Sequence, residues 1–390
     1  MRRSRNSSAL ASGLPTRRRV APGRPLGNRG RPGTVTWAMH LRRSSTARLP
    51  DDLALSPPLS PIERLPKWLL CVPLVAHWML LALRYGSLTL PSAANPGIPT
   101  GGLAGEGKLE CLALIPADLQ SSVAPTAAVP PGADAERVRC AAGLTFPLVA
   151  KPDCGWCGLG VRRIVDRDGL QAYQADFPLN ATFLLQPWHP GPVEAGLQVR
   201  RWPDGQPVLT GITLRHAPAV RGDGRRTVAE LASADPRLPG WLLGRHDAAR
   251  IPRDGEAVPL AAIASLRVGA RYEDAVGLAT PVLQSRVAAI AAGMGLAAGR
   301  LDVRAHSIAA LRAGQFTIIE VNGAGAEAIS AWDPRLTLRA AFATVFANQR
   351  ALFALGAAMR ARGHRPVGPW RLAASWLRQQ SLSRGYPASN

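Results

Sequence analysis

The chain has 390 residues, 47% of them hydrophobic, enough to bury a core and to form two or three domains. Its formal net charge of +21 would suit nucleic acid or acidic lipid, but residues 1–50 hold twelve arginines and no Asp or Glu, so the excess says little about the folded part. Aromatic residues at 5% are thin for base stacking, and no zinc-finger or RNA-binding signature occurs, which argues against a nucleic-acid partner.

Residues 1–60 are rich in Arg, Ser, Gly and Pro and read as a basic disordered segment, with Met39 as an alternative start. The next segment, 61–90, centres on WLLCVPLVAHWMLLAL, 16 apolar residues between Lys67 and Arg84. A membrane-spanning helix needs about 20. A helix docked on the protein and a shallow peripheral contact with a membrane both remain open. The five cysteines, an odd number with no clear secretory signal, point to a reducing, cytoplasmic compartment, with membrane association as a further option.

A Pro/Gly-rich loop, 91–108, precedes an expected strand at 110–115 and a short helix at 133–142. Residues 146–151, FPLVAK, read as a strand entering the loop PDCGWCGLG, with a second strand at 161–165. A hairpin with such a tip can close over a polyphosphate. Gly155, Gly158 and Gly160 leave backbone N–H groups for phosphate oxygens, and Lys151 adds a compact positive charge. It is not a P-loop, since no Gly-Lys-Ser/Thr follows. Cys154 and Cys157 have the spacing of a thiol–disulfide redox motif, which keeps a thiol oxidoreductase as an alternative.

Further strands are expected at 182–185 and 208–214, a short helix at 168–175, a helix at 228–232 capped by Thr227, and a helix at 281–297 burying Val282, Val287, Ile290 and Leu296. Residues 301–303 and 316–321 read as a hairpin whose connector carries Arg312, Ala313 and Gly314. Alternation puts Arg300, Asp302 and Arg304 on one face, and Glu320 and Asn322 on one face of the partner. If the faces coincide, Asp302, Glu320 and Asn322 form an all-oxygen set suited to Mg²⁺ (one or two ions, or Mn²⁺). Residues 336–390 give two basic helices broken at ARGHRPVGP.

Taken together, FPLVAKPDCGWCGLGV, LLQPWHPGPVEAG, GITLRHAPAVRGDG and GRLDVRA…FTIIEVNG resemble, in this order, the ATP-grasp enzymes, in particular the branch of D-alanine–D-alanine ligases and related carboxylate–amine ligases. The resemblance covers about residues 91–335. It implies an α+β fold in which ATP binds between the sheets of two subdomains. It implies Lys151 beside the phosphates, the 155–160 loop as a lid, Gln186, Pro187 and Trp188 as the adenine hinge, and Glu194 on the ribose. Arg215 stands where the family often has a phosphate-binding lysine, and Arg300 would face the transferred phosphoryl group. The segment before residue 91 does not resemble the substrate-binding first domain of D-alanine–D-alanine ligases.

The implied reaction joins a small carboxylate to an amine through an acyl phosphate, releasing ADP and phosphate. A non-catalytic nucleotide-binding module on a membrane surface is the other alternative.

Overall fold

The computed structural model describes residues 59–243 and 248–389; the segment read as disordered lies outside the described residues except for Leu59 and Ser60. The apolar run forms α1 (Lys67–Tyr85), closed by Gly86 in the left-handed conformation. The strand expected at 110–115 is instead helix α2 (Lys108–Ala113). Cys111, Leu112 and Ile115 are buried, and their spacing fits one face of a helical turn, not the alternation of a strand. After β1 (Ala127–Val129) and α3 (Ala135–Ala141, capped by Asp134) come β2 (Leu148–Pro152), β3 (Arg162–Ile164), α4 (Arg167–Asp176) and β4 (Phe183–Pro187). These strands make an antiparallel sheet ordered β1-β4-β2-β3.

A second sheet begins with β5 (Val193–Arg200) and β6 (Val208–His216). A small insert follows: β7 (Ala219–Arg221), α5 (Val228–Ser233), α6 (Gly240–Leu243) and β8 (Ala257–Pro259). Thr227 closes a full capping box on α5 with Glu230. Then come β9 (Arg271–Asp274), α7 (Pro281–Gly293), β10 (Ala298–Ala305), α8 (Ile308–Arg312) and β11 (Thr317–Asn322). The second sheet runs β11-β10-β5-β6-β9, each neighbouring pair antiparallel. Helices α9 (Leu338–Ala361) and α10 (Pro369–Arg384) follow. The expected α+β class is what the chain adopts.

Each sheet has its own core. Leu197, Val199, Ile212, Leu301, Val303 and Val321 of the five-stranded sheet pack with Leu283, Val287 and Ile290 of α7. Each such side chain, fully buried, contributes about 1.5–3 kcal/mol. Two details differ from the expected helix at 281–297. It ends at Gly293, so Leu296 is buried from beyond it, and Val282 is exposed, the inward position being Leu283. The connector between β10 and β11 is also more than a tight turn: α8, capped by Ser307, occupies it and ends near Gly314 at φ 72°.

The four-stranded sheet packs Leu148, Ala150, Phe183 and Leu185 against Leu170 and Tyr173 of α4. Tyr386, beyond α10, joins this core and stacks on Phe177 with ring centroids 5.2 Å apart. The stretch read as a C-terminal extension therefore completes the core under the glycine-loop sheet.

Candidate functional site

The site is built on the face of the five-stranded sheet that the core does not use. On β10, Leu301, Val303 and Ala305 point into the core, so Arg300, Asp302 and Arg304 point the other way. Asp302 lies directly across from Glu320, and Arg300 from Asn322, in the β10–β11 register. A bulge makes this possible: Asp302 pairs with Glu320 but Val303 pairs with Ile318, leaving Ile319 as the extra residue. Simple alternation from buried Ile318 would turn residue 320 into the core; the bulge re-aims it onto the site. It also frees the Ile319 carbonyl, which accepts the Lys151 ammonium at 2.6 Å.

Asp302 is 2% exposed and fully engaged. Arg300 Nε donates at 2.6 Å and Nη2 at 3.2 Å, Arg215 Nη1 at 3.1 Å, and Asn322 Nδ2 at 3.2 Å. Burial opposes its ionisation, but the two guanidinium groups outweigh burial and hold the carboxyl below its ordinary value. Gly196, opposite Asp302 on β5, makes room for this: a Cβ there would lie 2.8 Å from Arg300 Cδ. Glu194 sits across from both Arg304 and Arg215 and lies 3.3 Å from Arg215 Nη1.

The opposite wall comes from β2 and its loop. Lys151 is 5% exposed, and burial pushes its pKa down to about 8, against the pull of Glu320. Within the loop, Gly158 and Gly160 have φ of +69° and +76°, and a Cβ on Gly160 would meet Pro152 at 2.7 Å. Gly155 has ordinary φ; its neighbour is the Lys108 ammonium, 3.3 Å from where a Cβ would stand. Loop carbonyls are tied from outside. Tyr386 Oη donates to Cys154 O at 2.6 Å, Gln379 Nε2 to Gly155 O at 3.4 Å, Ser265 Oγ to Cys157 O at 2.7 Å and Ser389 Oγ to Gly158 O at 2.6 Å.

The hinge differs in detail from expectation. Gln186 is buried, and its amide donates to Thr126 Oγ1 and Ile319 O, which makes it a brace. The Trp188 N–H donates to Pro147 O at 2.9 Å, so this backbone donor is already used. The Arg163 and Arg304 guanidinium groups each lie 4.8 Å from the Trp188 ring.

Lys151, Gly158, Gln186, Pro187, Trp188, Glu194, Arg215 and Glu320 line one cavity of about 100 Å³. Arg300, Asp302 and Asn322 stand behind it, joined through Arg215. A wider cavity of about 680 Å³ meets the first at Trp188 and Arg304.

Three residues escaped sequence reading. Lys108 of α2 lies 3.5 Å from Glu320, which raises its pKa despite burial. Glu106 has a buried Oε2 without a hydrogen-bond partner, and burial pushes its carboxyl up. Glu327 accepts Arg300 Nη1 through its carbonyl at 3.2 Å. The first two fell in the stretch read as the Pro/Gly-rich loop 91–108, whereas α2 already begins at Lys108.

Asp302, Glu320 and Asn322 supply hard oxygens only, and among the described residues no three His, Cys, Asp or Glu side chains cluster as a self-sufficient metal site. Hard oxygens suit Mg²⁺, which binds through one or two carboxylates and takes its remaining ligands from phosphate and water. Partial burial pushes the Cys154 thiol up, while Cys157 is exposed. A reactive thiol needs the opposite shift, which weighs against the redox alternative.

No protein-family model and no curated protein matches the chain. Solved structures of ATP-grasp ligases do. D-alanine–D-alanine ligase from Bacillus anthracis is 15% identical with a TM-score of 0.38, over 66% of this chain and 68% of that one. D-cycloserine synthetase is 16% identical with a TM-score of 0.36, over 66% and 71%. The bifunctional glutathione synthetase from Pasteurella multocida is 16% identical with a TM-score of 0.35, over 64% of this chain and 35% of that one. The chain thus spans about a third of the synthetase. Likeness this distant leaves the chemistry to be read from the side chains.

Proposed function

We propose that the chain is an ATP-dependent carboxylate–amine ligase of the ATP-grasp type. The observation that carries this reading is the gathering of five cations beside a glycine loop: Lys108 faces Glu320, Arg300 and Arg215 share Asp302, Arg215 and Arg304 face Glu194, and Lys151 rests on the Ile319 carbonyl. So dense a cationic cluster around a few carboxylates suits a ligand that brings several negative charges with it.

A carboxylate is a poor acyl donor because its leaving group would be oxide. Attack of a carboxylate oxygen on the γ-phosphorus breaks the bond to the bridging oxygen and gives ADP and an acyl phosphate. An amine nitrogen then attacks the acyl carbon, phosphate leaves, and the nitrogen loses its proton. Charge in the first transition state spreads over the phosphoryl oxygens, so positioned cations do most of the work. Asp302, Glu320 and Asn322 would hold Mg²⁺, which when bound neutralises phosphate charge and orients the transferred group. Arriving phosphates would compete with Asp302 for Arg215 and Arg300. Lys151 and the loop N–H groups would hold the polyphosphate, Glu194 the ribose, and Pro187 and Trp188 the edge of the base.

The small-molecule carboxylate and amine are to be found by screening for ADP release with Mg·ATP against amino acids, dipeptides and small carboxylates, each with and without an added amine. Turnover that requires both partners supports the ligase. ATP binding without such turnover supports the non-catalytic nucleotide-binding alternative. No ATP binding contradicts both.

A further inference from the structure

The +21 charge is not spread evenly. Residues 106–333, which contain every residue of the proposed site, hold 23 Lys and Arg against 23 Asp and Glu. That stretch is neutral, and the whole excess lies outside it. Residues 64–105 and 334–390 contain no Asp or Glu at all. These stretches form α1, α9 and α10. Three helices without a carboxylate carry Lys67, Arg84, Arg339, Arg350, Arg360, Arg371, Arg378 and Arg384.

Helix α1 has two faces. One is fixed to the protein: Leu81 and Ala82 are buried, Trp78 meets Phe353 edge-on at 4.9 Å, His77 Nδ1 bonds Gln349 Oε1, and Gln349 Nε2 donates to the Leu74 carbonyl at 3.2 Å. The other is an unbroken apolar stripe at helical spacing, Trp68, Val72, Val75, Met79 and Leu83, widened by Leu69 and Leu80. Trp68 is 68% exposed and Leu83 76%. Exposed apolar surface that is contiguous, unlike scattered residues, marks an interaction face.

We propose that α1 docks this protein on an anionic lipid bilayer, lying in the plane of the interface. A crossing is disfavoured because α1 is bonded along one side to α9, whose Arg339, Arg350 and Arg360 would have to enter the bilayer with it. The in-plane arrangement fits each feature: an apolar stripe for the acyl boundary, a tryptophan at one end, Lys67 and Arg84 at the two ends, and no acid on the flanking helices to be repelled by lipid phosphate. A second copy of the chain fits less well. A twofold contact would set α1 against α1, each carrying Lys67 and Arg84 and no carboxylate to pair with them.

The test is co-sedimentation of the full chain with vesicles of phosphatidylcholine alone and of phosphatidylcholine mixed with phosphatidylglycerol. Wild type should pellet with the mixed vesicles and be released as salt is raised. Val72→Glu with Leu80→Glu changes two exposed positions, so the melting temperature should hold while vesicle affinity falls at least about tenfold. Failure of wild type to pellet overturns the proposal. Equal pelleting of the variant overturns it too, since binding then lies elsewhere. A dimer in solution that the variant splits, without vesicle binding, would assign the stripe to self-association instead. The outcome is independent of ADP release, which stays a separate test of the ligase reading.

Discussion

Lys151 concentrates the chemistry of the site in one side chain. Its ammonium is buried on the Ile319 carbonyl, and burial brings its pKa from 10.5 to about 8. The folded value lies below the unfolded one. Between pH 8 and 10.5 the unfolded chain therefore holds a proton that the folded chain has released, so the burial cost is full below 8 and is relieved as pH rises through that window. Phosphate oxygens need the protonated form. Mg·ATP affinity should accordingly fall above about pH 8, and binding at pH 9 should take up close to one proton. Titration calorimetry in buffers of different ionisation enthalpy reads that uptake directly. In Lys151→Met the uptake should vanish and affinity should drop at least about tenfold. Uptake that persists in the variant would assign the proton to another group. For Cys154→Ser with Cys157→Ser the expected result is turnover within about threefold of wild type, since burial raises the Cys154 thiol and the loop works through its backbone.

The glycine loop works as an element because its carbonyls are tied outward. A trans peptide points C=O and the next N–H in opposite directions. Fixing Cys154 O on Tyr386 and Gly155 O on Gln379 thus turns the N–H groups of Gly155 and Trp156 away from the C-terminal stretch. Tyr386→Phe keeps the stack on Phe177 and removes only the hydroxyl. Combined with Ser389→Ala, it should speed hydrogen exchange across residues 154–160 and raise KM for ATP more than it lowers kcat. Unchanged exchange in that loop would mean that the C-terminal contacts do not hold it.

This element also marks what a sequence can and cannot reveal. Strand, loop and strand were legible because each depends on local alternation and turn chemistry, and alternation also put Arg300 with Asp302 and Glu320 with Asn322; that the two faces coincide depends on a bulge. The bulge at Ile319 was not legible, because two residues facing one leaves no mark in an alternating pattern. Tyr386, Gln379 and Ser265 were also invisible in this role. They reach the loop from more than a hundred residues away, and such contacts leave no local period. Lys108 was lost because it was read as the end of the Pro/Gly-rich loop and not as the first residue of α2.

At the scale of the whole molecule, the cavity beneath the loop holds about 100 Å³, while pockets for small ligands usually offer about 300–1,000 Å³. The adjoining cavity of about 680 Å³, which meets it at Trp188 and Arg304, adds the room a nucleotide needs. A bound ligand should then stabilise the assembled form. At about 100 times its Kd, a non-hydrolysable ATP analogue with Mg²⁺ adds about 2.7 kcal/mol and should raise the melting temperature by several degrees. Chelating the metal should remove most of that gain.

The central claim is that Asp302, Glu320 and Asn322, with the cations around them, act as one phosphoryl-transfer unit. Its most direct measurement is the rate of ADP release by Glu320→Gln, Asp302→Asn and the double variant, at several Mg²⁺ concentrations with the best substrate pair. Asp302→Asn removes the shared partner of two buried guanidinium groups, which can cost about 3–5 kcal/mol of stability, so each rate is paired with a melting curve. The account predicts that folded Glu320→Gln loses about a hundredfold or more in kcat, and that the double variant is no slower than the worse single by more than a few-fold. Full ADP release by folded Glu320→Gln, or losses that multiply independently, would contradict it.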